Sequence, residues 1–410
     1  MQNDNYLKEL FQREFAKMVA VISSLFGLEH IELAEDIVSE TFLTAAESWG
    51  MKGMPPNPTA WLYTVAKQKT LYHFRRDKLF QQKILPALSS GKEETAELDE
   101  LNFSDQHIKD SQLQMIFAIC TPVIASEAQI GLALRILCGF GIDEIAEAFL
   151  SNKETINKRL FRAKEKLRTE KVQLEFPPKD QVTDRLDNVL HIIYLLFNEG
   201  YYSMTQNEIL RRDLCVEAMR LGTFLTEYER TNQPKTNALL ALMCFHASRF
   251  NARQSSEGDI ILYEDQDKNK WDAELIRQGM HFLDLSATGN ELSSYHLEAR
   301  IACWHCIKED SPEKWNEILS LYDQLRTINF SPAVVLNRLY AVYRSKGTEA
   351  ALKEAEPLQM DNNHFYFILL GELYRQKDPG KAHLQYQKAL SLSKTPSERQ
   401  EIQHKIDSLS

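Results

Sequence analysis

Two cysteines and a histidine in the C-terminal half have a spacing that could support metal or thiol chemistry. Cys303 and Cys306 are separated by two residues, Trp304 and His305, in the sequence Cys-Trp-His-Cys. This spacing occurs in zinc sites and in thiol redox motifs. A zinc site of this kind needs a second cysteine pair, which the sequence lacks, and the thioredoxin-like motif needs a strand context, which is missing here. The pattern therefore favours buried thiols on a helix.

A group of acidic residues upstream of these cysteines could bind a metal ion. Its members are Glu264, Asp265, Asp267 and Asp272. The same residues could equally cap helix N-termini or pair with Lys268 and Lys270. No metal site is therefore predicted.

Two short basic segments could hold phosphate groups. The chain carries a formal net charge of −10, so positive charge is local. The first segment comprises Lys67, Lys69, Arg75, Arg76, Lys78 and Lys83, and Asp77 is its one acidic residue. The second comprises Lys153, Lys158, Arg159, Arg162, Lys164, Lys166, Arg168 and Lys171, with Glu154, Glu165 and Glu170. Local positive faces of this kind are what binding to a nucleic-acid backbone requires.

The elements that must position these residues are helices. A chain of 410 residues with 43% apolar residues suggests two or three globular domains. Apolar residues recur at three- and four-residue intervals, and the βαβ spacing of parallel sheets is absent. We therefore predict an all-α fold, with one helical stretch over 6–50. Asn57-Pro58 marks the start of the helix that carries the first basic segment.

The stretch 141–168 has the pattern of a helix-turn-helix. After a break at Ser151-Asn152, one buried stripe is predicted from Ile156, Leu160, Ala163 and Leu167. The residues left facing outward are Lys153, Glu154, Asn157, Lys158, Phe161 and Arg162. A helix with such a face can enter the major groove. An ordinary helical hairpin with a solvated charged face has the same spacing.

Residue identities favour the DNA-binding interpretation. Glu144-Ile145-Ala146 followed by Thr155-Ile156-x-x-Arg159-Leu160-x-Arg162-Ala163-Lys164 resembles region 4 of extracytoplasmic-function sigma factors. Ala34-Glu35-Asp36-Ile37-Val38-Ser39-Glu40-Thr41-Phe42 and Trp61-Leu62-Tyr63-Thr64-Val65-Ala66 resemble region 2 of the same family. The two motifs occur in the family's order.

The resemblance implies roles for particular residues. Region 4 would read the −35 promoter element with the outward residues of 153–162. Two partners are expected, and the first is core RNA polymerase, which Asp36 and Glu40 would contact. Promoter DNA is the second partner, and the −10 element would be held by Lys67, Lys69, Arg75 and Arg76. No cofactor and no catalytic residue are expected, because catalysis belongs to the polymerase.

The resemblance also implies a domain organisation. Region 2 is expected at 1–82, a flexible acidic linker at 83–111 and region 4 at 112–175. A helical extension follows at 181–410, with a tetratricopeptide-like repeat near 364–395. The strings Tyr194–Tyr201, Leu214–Leu221 and Pro332-x4-Asn337-Arg338 resemble a sigma subgroup with a fused C-terminal domain. Such a domain could bind a protein or small-molecule regulator.

One aromatic string at the start of the extension is a candidate interdomain seam. Its members are Tyr194, Phe197, Asn198, Glu199 and Tyr201. The alternative is an ordinary core helix end with Gly200 as its cap.

The compartment expected for such a protein is the cytoplasm. The N-terminus is polar, no run of 18 apolar residues occurs, and the six cysteines lie in apolar helical contexts. Two other functions remain open. One is a helix-turn-helix regulator that acts without polymerase, and the other is a metal or thiol enzyme module in the extension.

Overall fold

A computed structural model describes residues 2–84, 103–149, 151–178, 181–201, 212–253, 261, 263–393 and 396–409. Side chains of residues 74–84 lie outside this description. The chain divides into two compact units, Met1–Leu195 and Leu196–Ser410. Helices make up both units, and the described residues contain no strand. The all-α prediction is confirmed.

The described part of the first unit consists of helices. In chain order they are α1 (Gln2–Phe26), α2 (Ile31–Lys52), α3 (Pro58–Ile84), α4 (Asp105–Ile119), α5 (Ser126–Leu132), α6 (Ile142–Ala148), α7 (Lys153–Thr169) and the greater part of α8 (Val182–Tyr201). A π-helical turn at Ala133–Leu137 follows α5. Helix α8 continues past Leu195 into the second unit.

The predicted continuous helix over 6–50 is wrong, because glycine interrupts it. Gly27 adopts φ +84°, a backbone conformation that other residues rarely tolerate. A short 3-10 turn at Leu28–His30 then leads into α2. The predicted start of α3 is confirmed, since the Asn57 Oδ1 atom accepts a hydrogen bond from the backbone N–H of Ala60.

Helix α4 begins earlier than the linker predicted at 83–111 would allow. The Ser104 hydroxyl accepts a hydrogen bond from the backbone N–H of His107, and the helix starts at Asp105. Its side chains Ile108 and Leu113 are buried. The sequence did not predict this start, because the first turn of the helix is polar and its composition does not differ from that of a linker. Residues 85–102 of the predicted linker lie outside the description.

The core of the first unit lies around α1, which packs against α2 on one side and α4 on another. Helix α1 is therefore covered on two faces. Fully buried side chains from α1 and α4 include Phe15, Met18, Val19, Ile22, Met115, Phe117 and Ile119. Burial of apolar surface on this scale is the main favourable contribution to folding.

The second unit continues the helical pattern. Its remaining helices are α9 (Arg212–Thr226), α10 (Pro234–Ala247), α11 (Ala273–Ser286), α12 (Ser294–His305), α13 (Pro312–Ile328), α14 (Pro332–Lys346), α15 (Thr348–Ala355), α16 (His364–Tyr374), α17 (Pro379–Leu392) and α18 (Pro396–Asp407). Neighbours in sequence pack on one another from α12 to α18. Within the described part of the chain, no helix is both long enough and apolar enough to span a bilayer.

Helices α16 and α17 form a tight antiparallel pair at the place where a tetratricopeptide-like repeat is predicted. Gly371 lies against the ring of Tyr386, which is fully buried. A Cβ atom at position 371 would come too close to that ring. Glycine is therefore required at this crossing for steric reasons.

We expect Gly371→Ala to destabilise the protein by roughly 1–3 kcal/mol, because an added methyl group overpacks the helix crossing. Calorimetric unfolding should show a lower transition midpoint. Gly380→Ala is the matched control. It lies in the first turn of α17, where the nearest atom, Oδ1 of Asp378, would be 3.5 Å from the new Cβ. Equal midpoints for the two variants would contradict the steric explanation.

Candidate nucleic-acid and polymerase interface

Helix α7 has the geometry that the sequence predicted. The Asn152 Oδ1 atom accepts a hydrogen bond from the N–H of Thr155, which caps the helix start. The predicted stripe is confirmed, and its members are all buried: Ile156, Leu160, Ala163 and Leu167. Helix α6 packs against α7. The side of α7 opposite the stripe therefore faces away from the core.

The residues predicted to face outward are exposed without exception. They are Lys153, Glu154, Asn157, Lys158, Phe161 and Arg162. The aromatic member, Phe161, is 56% exposed, an unusual position for a large apolar ring. Two lysines form surface ion pairs, Lys153 with Asp143 at 3.0 Å and Lys158 with Glu154 at 2.6 Å. Exposed pairs of this kind contribute little, so a phosphate can replace the carboxylate at small cost.

Other cations of the same basic segment are held inside the first unit. The Arg159 guanidinium lies 5.5 Å from the centre of the Phe149 ring and 3.5 Å from Glu127. Lys164 is paired with Glu35, a residue of α2. The basic segment therefore has two parts, an exposed one and one used for packing.

The two acidic residues assigned to polymerase contact lie on the exposed face of α2. Asp36 and Glu40 are one helical turn apart, and both are exposed. The Nζ atom of Lys69 donates to the Glu40 carboxylate at 3.3 Å. This bond joins α2 to α3, so Glu40 and the first basic segment lie side by side.

The residues assigned to the −10 element are only partly described. Lys67 and Lys69 are half-buried on α3, whereas the side chains of Arg75 and Arg76 lie outside the described residues. Trp61, in the first turn of α3, packs edge-on against the buried Trp49, with ring centres 5.4 Å apart. Its contact is with the core of the unit.

Sequence analysis missed the role of Glu35. Glu35 is 6% exposed, and its carboxylate accepts a hydrogen bond from Nε of Arg135 at 3.0 Å and is paired with the ammonium of Lys164. Arg135 also donates to the carbonyl oxygen of Phe140 at 3.1 Å. A signal was present, because Glu35 falls on the apolar face of α2, and a buried acid needs a charged partner.

The last two aromatic residues of the string at the end of α8 lie within the second unit. Phe197 and Tyr201 are buried and stack with ring centres 5.6 Å apart. His246 lies 4.7 Å from the Tyr201 ring, and Arg249 donates to the Tyr201 hydroxyl at 3.3 Å. These contacts match the alternative of a core helix end, although α8 continues through Gly200 without a cap there.

The remaining members of the string are half-buried: Tyr194, Asn198 and Glu199. Burial raises the pKa of Glu199 above its usual value. The interdomain role of the string stays a prediction.

The cysteine pair at the end of α12 has the character of packed thiols. Burial raises the pKa of Cys303 to about 11, and also raises that of Cys306. The Cys306 Sγ atom donates to the carbonyl oxygen of Phe245 at 3.7 Å. A raised pKa keeps a thiol protonated, and the thiolate is the reactive form.

The acidic group near 264–272 provides caps for the chain that follows it. Asp267 accepts from the N–H of Asn269, and Asp272 accepts from the N–H groups of Glu274 and Leu275 at the start of α11. The capping interpretation is confirmed for these two residues. Among the described residues, no group of three or more His, Cys, Asp or Glu side chains is arranged to hold a metal ion.

Comparison with known proteins agrees with the N-terminal part of this site. Residues 10–79 match the family model of Sigma-70 region 2, and residues 185–287 match that of a family of unknown function, DUF6596. The first match spans nearly all of α1 to α3 and includes every residue assigned to polymerase or the −10 element.

A full-length relative extends the comparison. An uncharacterized protein of Rhizobium meliloti (strain 1021) is 32% identical over 403 residues, which cover 96% of this chain and 94% of that protein. No solved structure matches the chain. The chain is a sigma-70 family factor, and over nearly its whole length it belongs to the same family as the Rhizobium protein. Region 2 implies binding to core RNA polymerase and to promoter DNA.

We expect Lys158→Ala and Arg162→Ala each to weaken binding to −35 duplex DNA by roughly 1–3 kcal/mol if the side chain reads a base. Both side chains are exposed, Lys158 in the first half of α7 and Arg162 just past its middle. Affinity can be measured on a duplex selected by the wild-type protein from a random library.

The control is Lys166→Ala, which removes the same charge near the far end of the helix. Recognition helices contact bases through their N-terminal residues, so this variant should lose less affinity and less sequence preference. Unchanged affinity in both test variants would show that α7 does not enter the major groove.

Proposed function

We propose that the protein is a sigma factor of the extracytoplasmic-function type that directs promoter-specific transcription initiation. One observation carries the proposal: an exposed polar face on α7, over a buried stripe, follows a region 2 match in the same chain. A DNA-reading helix and a polymerase-binding region in this order fit an initiation factor.

Each part of the first unit has a role in this proposal. Helix α2 docks on core polymerase through Asp36 and Glu40. Helix α3 holds the −10 element through its basic segment, and α7 enters the major groove of the −35 element. Opening DNA requires positive charge for the phosphates and contacts that offset unstacking of a base. The protein supplies binding, and catalysis belongs to the polymerase.

The extension, 181–410, acts in the same chain as a regulatory or interaction domain. Its first helix supports this role, because α8 begins within the first unit. Arg185 donates to the carbonyl oxygen of Phe117 at 2.6 Å, and Asn188 donates to that of Cys120 at 2.7 Å. The tetratricopeptide-like helix pair α16–α17 would offer a surface to a protein or small-molecule regulator.

The alternatives make different predictions about polymerase. A DNA-binding regulator that acts alone would need no region 2, so the family match disfavours it. A metal or thiol enzyme in the extension would need accessible ligands or a reactive thiolate. The raised pKa values of Cys303 and Cys306 disfavour thiol chemistry.

Transcription from genomic fragments with added core polymerase tests the proposal, and sequencing of transcript 5′ ends identifies the promoters. We expect wild-type protein to yield discrete start sites. The double variant Asp36→Lys/Glu40→Lys should lose polymerase binding and transcripts while its helix content stays intact, because reversed charges repel the partner surface.

Glu313→Lys/Glu317→Lys is the matched control, since these exposed glutamates form another i,i+4 pair, on α13 in the second unit. It changes the net charge by the same amount. If polymerase binding persists in the test variant, Asp36 and Glu40 are solvated residues. If wild-type protein yields no start sites, the sigma assignment itself fails.

Shortened chains test whether the extension acts in cis. Ending the chain after residue 178 removes Arg185 and Asn188, which bond to the first unit, whereas ending it after Leu195 keeps them. We expect both chains to change transcription markedly, and the shorter one also to lose thermal stability. Transcription is lost if the extension is a required scaffold, and it rises if the extension inhibits.

The chain that ends after Leu195 distinguishes a regulatory role of the extension from a role in folding of the first unit. If it transcribes with the rate, promoter choice and signal response of the full protein, the extension is an independent binding module.

A further inference from the structure

One tyrosine in the second unit is surrounded by basic and aromatic side chains. Tyr263 lies in a short 3-10 turn before α11. The Arg249 guanidinium is 5.5 Å from the centre of its ring, and the Lys314 ammonium is 5.7 Å from it. The Trp271 ring stacks with the tyrosine at 6.2 Å, and the His305 ring packs edge-on at 4.9 Å. These residues form the Tyr263 cluster.

Lys314 is a buried cation whose hydrogen-bond acceptors are neutral. It lies in the first turn of α13 and is 1% exposed. Its Nζ atom donates to the Tyr263 hydroxyl at 3.1 Å and to the carbonyl oxygen of Ile307 at 2.8 Å. An ammonium group can donate one further hydrogen bond. Burial lowers the pKa of Lys314 to about 8, because a buried charge without a paired opposite charge is costly.

Other polar atoms beside Tyr263 are buried without a hydrogen-bond partner among the described residues. They are Nε1 of Trp271, Nδ1 of His305 and Oε1 of Gln266. Gln266 belongs to the same turn, since its backbone N–H donates to the carbonyl oxygen of Tyr263 at 3.4 Å. Trp271 and Gln266 are only 6% and 7% exposed. Native proteins leave few buried polar groups unsatisfied, so a group of them at one place indicates a binding site.

The charge at this cluster favours an anion. Burial and neighbouring cations lower the pKa of His305 to about 3, so its ring stays neutral; these cations are Arg249, Lys314 and Arg344. The carboxylate of Asp310 is already paired with the Arg344 guanidinium. Within the part of the chain that the structure describes, no carboxylate forms an ion pair with Lys314. An anion bound here would compensate the charge of Lys314.

A neutral occupant would satisfy only part of this requirement. Water can accept hydrogen bonds from the Lys314 ammonium and the Trp271 indole, but it leaves the charge without compensation. An oxyanion accepts from both donors and also neutralises the ammonium. Tyr263 and His305 are only half-buried, so the cluster extends to the surface of the second unit, where a small molecule can enter.

We propose that the Tyr263 cluster binds the oxyanion group of a small molecule, either a phosphate or a carboxylate. Lys314 and Trp271 donate hydrogen bonds to the oxygen atoms of this group. The side-chain oxygen of Gln266 accepts a hydrogen bond from a hydroxyl or amine of the same molecule. The inference goes beyond the sigma function, because these residues all lie in the second unit and binding requires neither polymerase nor DNA.

Calorimetric unfolding of the full-length wild-type protein tests the site without any substitution. Inorganic phosphate and acetate are the probes, and sodium chloride keeps the ionic strength constant. We expect at least one probe to raise the unfolding midpoint saturably, by about 5 °C or more at about a hundredfold excess over its dissociation constant. A response to only one probe identifies the group as phosphate or carboxylate, and a response to both supports a general oxyanion site. If neither probe shifts the midpoint, the proposal is wrong.

Removal of the ammonium separates a specific site from the general stabilisation that some anions give to proteins. Lys314→Gln should lose the saturable shift, because the cation that the anion neutralises is gone. Lys235→Gln is the matched control and should keep the shift. Lys235 is a buried lysine of α10, 2% exposed, and lies 3.6 Å from the Glu291 carboxylate. Equal shifts in the two variants would overturn the proposal.

A second variant removes one hydrogen-bond donor and keeps an aromatic ring. Trp271→Phe loses an indole N–H that has no partner within the described chain, so no internal hydrogen bond is broken. Trp49→Phe is the matched control, because Trp49 is 5% exposed in the first unit and its Nε1 atom also lacks a partner there. The Trp271 variant should need roughly tenfold more anion for the same midpoint shift, since a hydrogen bond to a charged group is lost. The same anion dependence in both variants would refute the proposed site.

Discussion

The buried carboxylate of Glu35 is the interaction on which the arrangement of the first unit depends. Taking an ionised carboxylate out of water is costly, and removing one partner of a buried pair typically destabilises a protein by about 3–5 kcal/mol. Wherever Glu35 is buried, Arg135 and Lys164 must therefore accompany it. Salt screens buried pairs much less than exposed ones, so this constraint persists at physiological ionic strength. The cluster specifies which faces of α2, α7 and the π-helical turn Ala133–Leu137 meet.

The sequence predicted the features that depend on local interactions. The stripe from Ile156 to Leu167 and the caps at Asn57 and Asn152 follow from helical periodicity and from side-chain bonds within one turn. The break at Gly27 escaped prediction, because apolar periodicity continues on both sides of it and a positive φ leaves no mark in the pattern. The start of α4 was missed because its first turn is polar.

The candidate site also contains some features that one helix determines and others that depend on the whole fold. Outward residues of α7 could be predicted by exclusion, since whatever the buried stripe leaves over must face solvent. Periodicity does not separate Lys164, which packs inside the unit, from Lys158, which is exposed, because that difference arises from α2 and its Glu35. Glu35 and Lys164 lie 129 positions apart, so the sequence around either residue does not contain the other. Exposed surfaces were therefore predictable from one helix at a time, whereas the ion cluster required the folded unit.

The predicted boundary between region 4 and the extension illustrates the same limit. Composition places it near Pro177-Pro178, where the chain turns. The hydrogen bonds of Arg185 and Asn188 place the first turns of α8 with the first unit, because these side chains satisfy carbonyl groups at the end of α4. Unpaired carbonyl groups at a helix end need such partners. The physical boundary therefore lies within a helix, near Leu195. In this chain, the side chains that satisfy the carbonyl groups at the end of α4 come from residues that the sequence assigns to the extension.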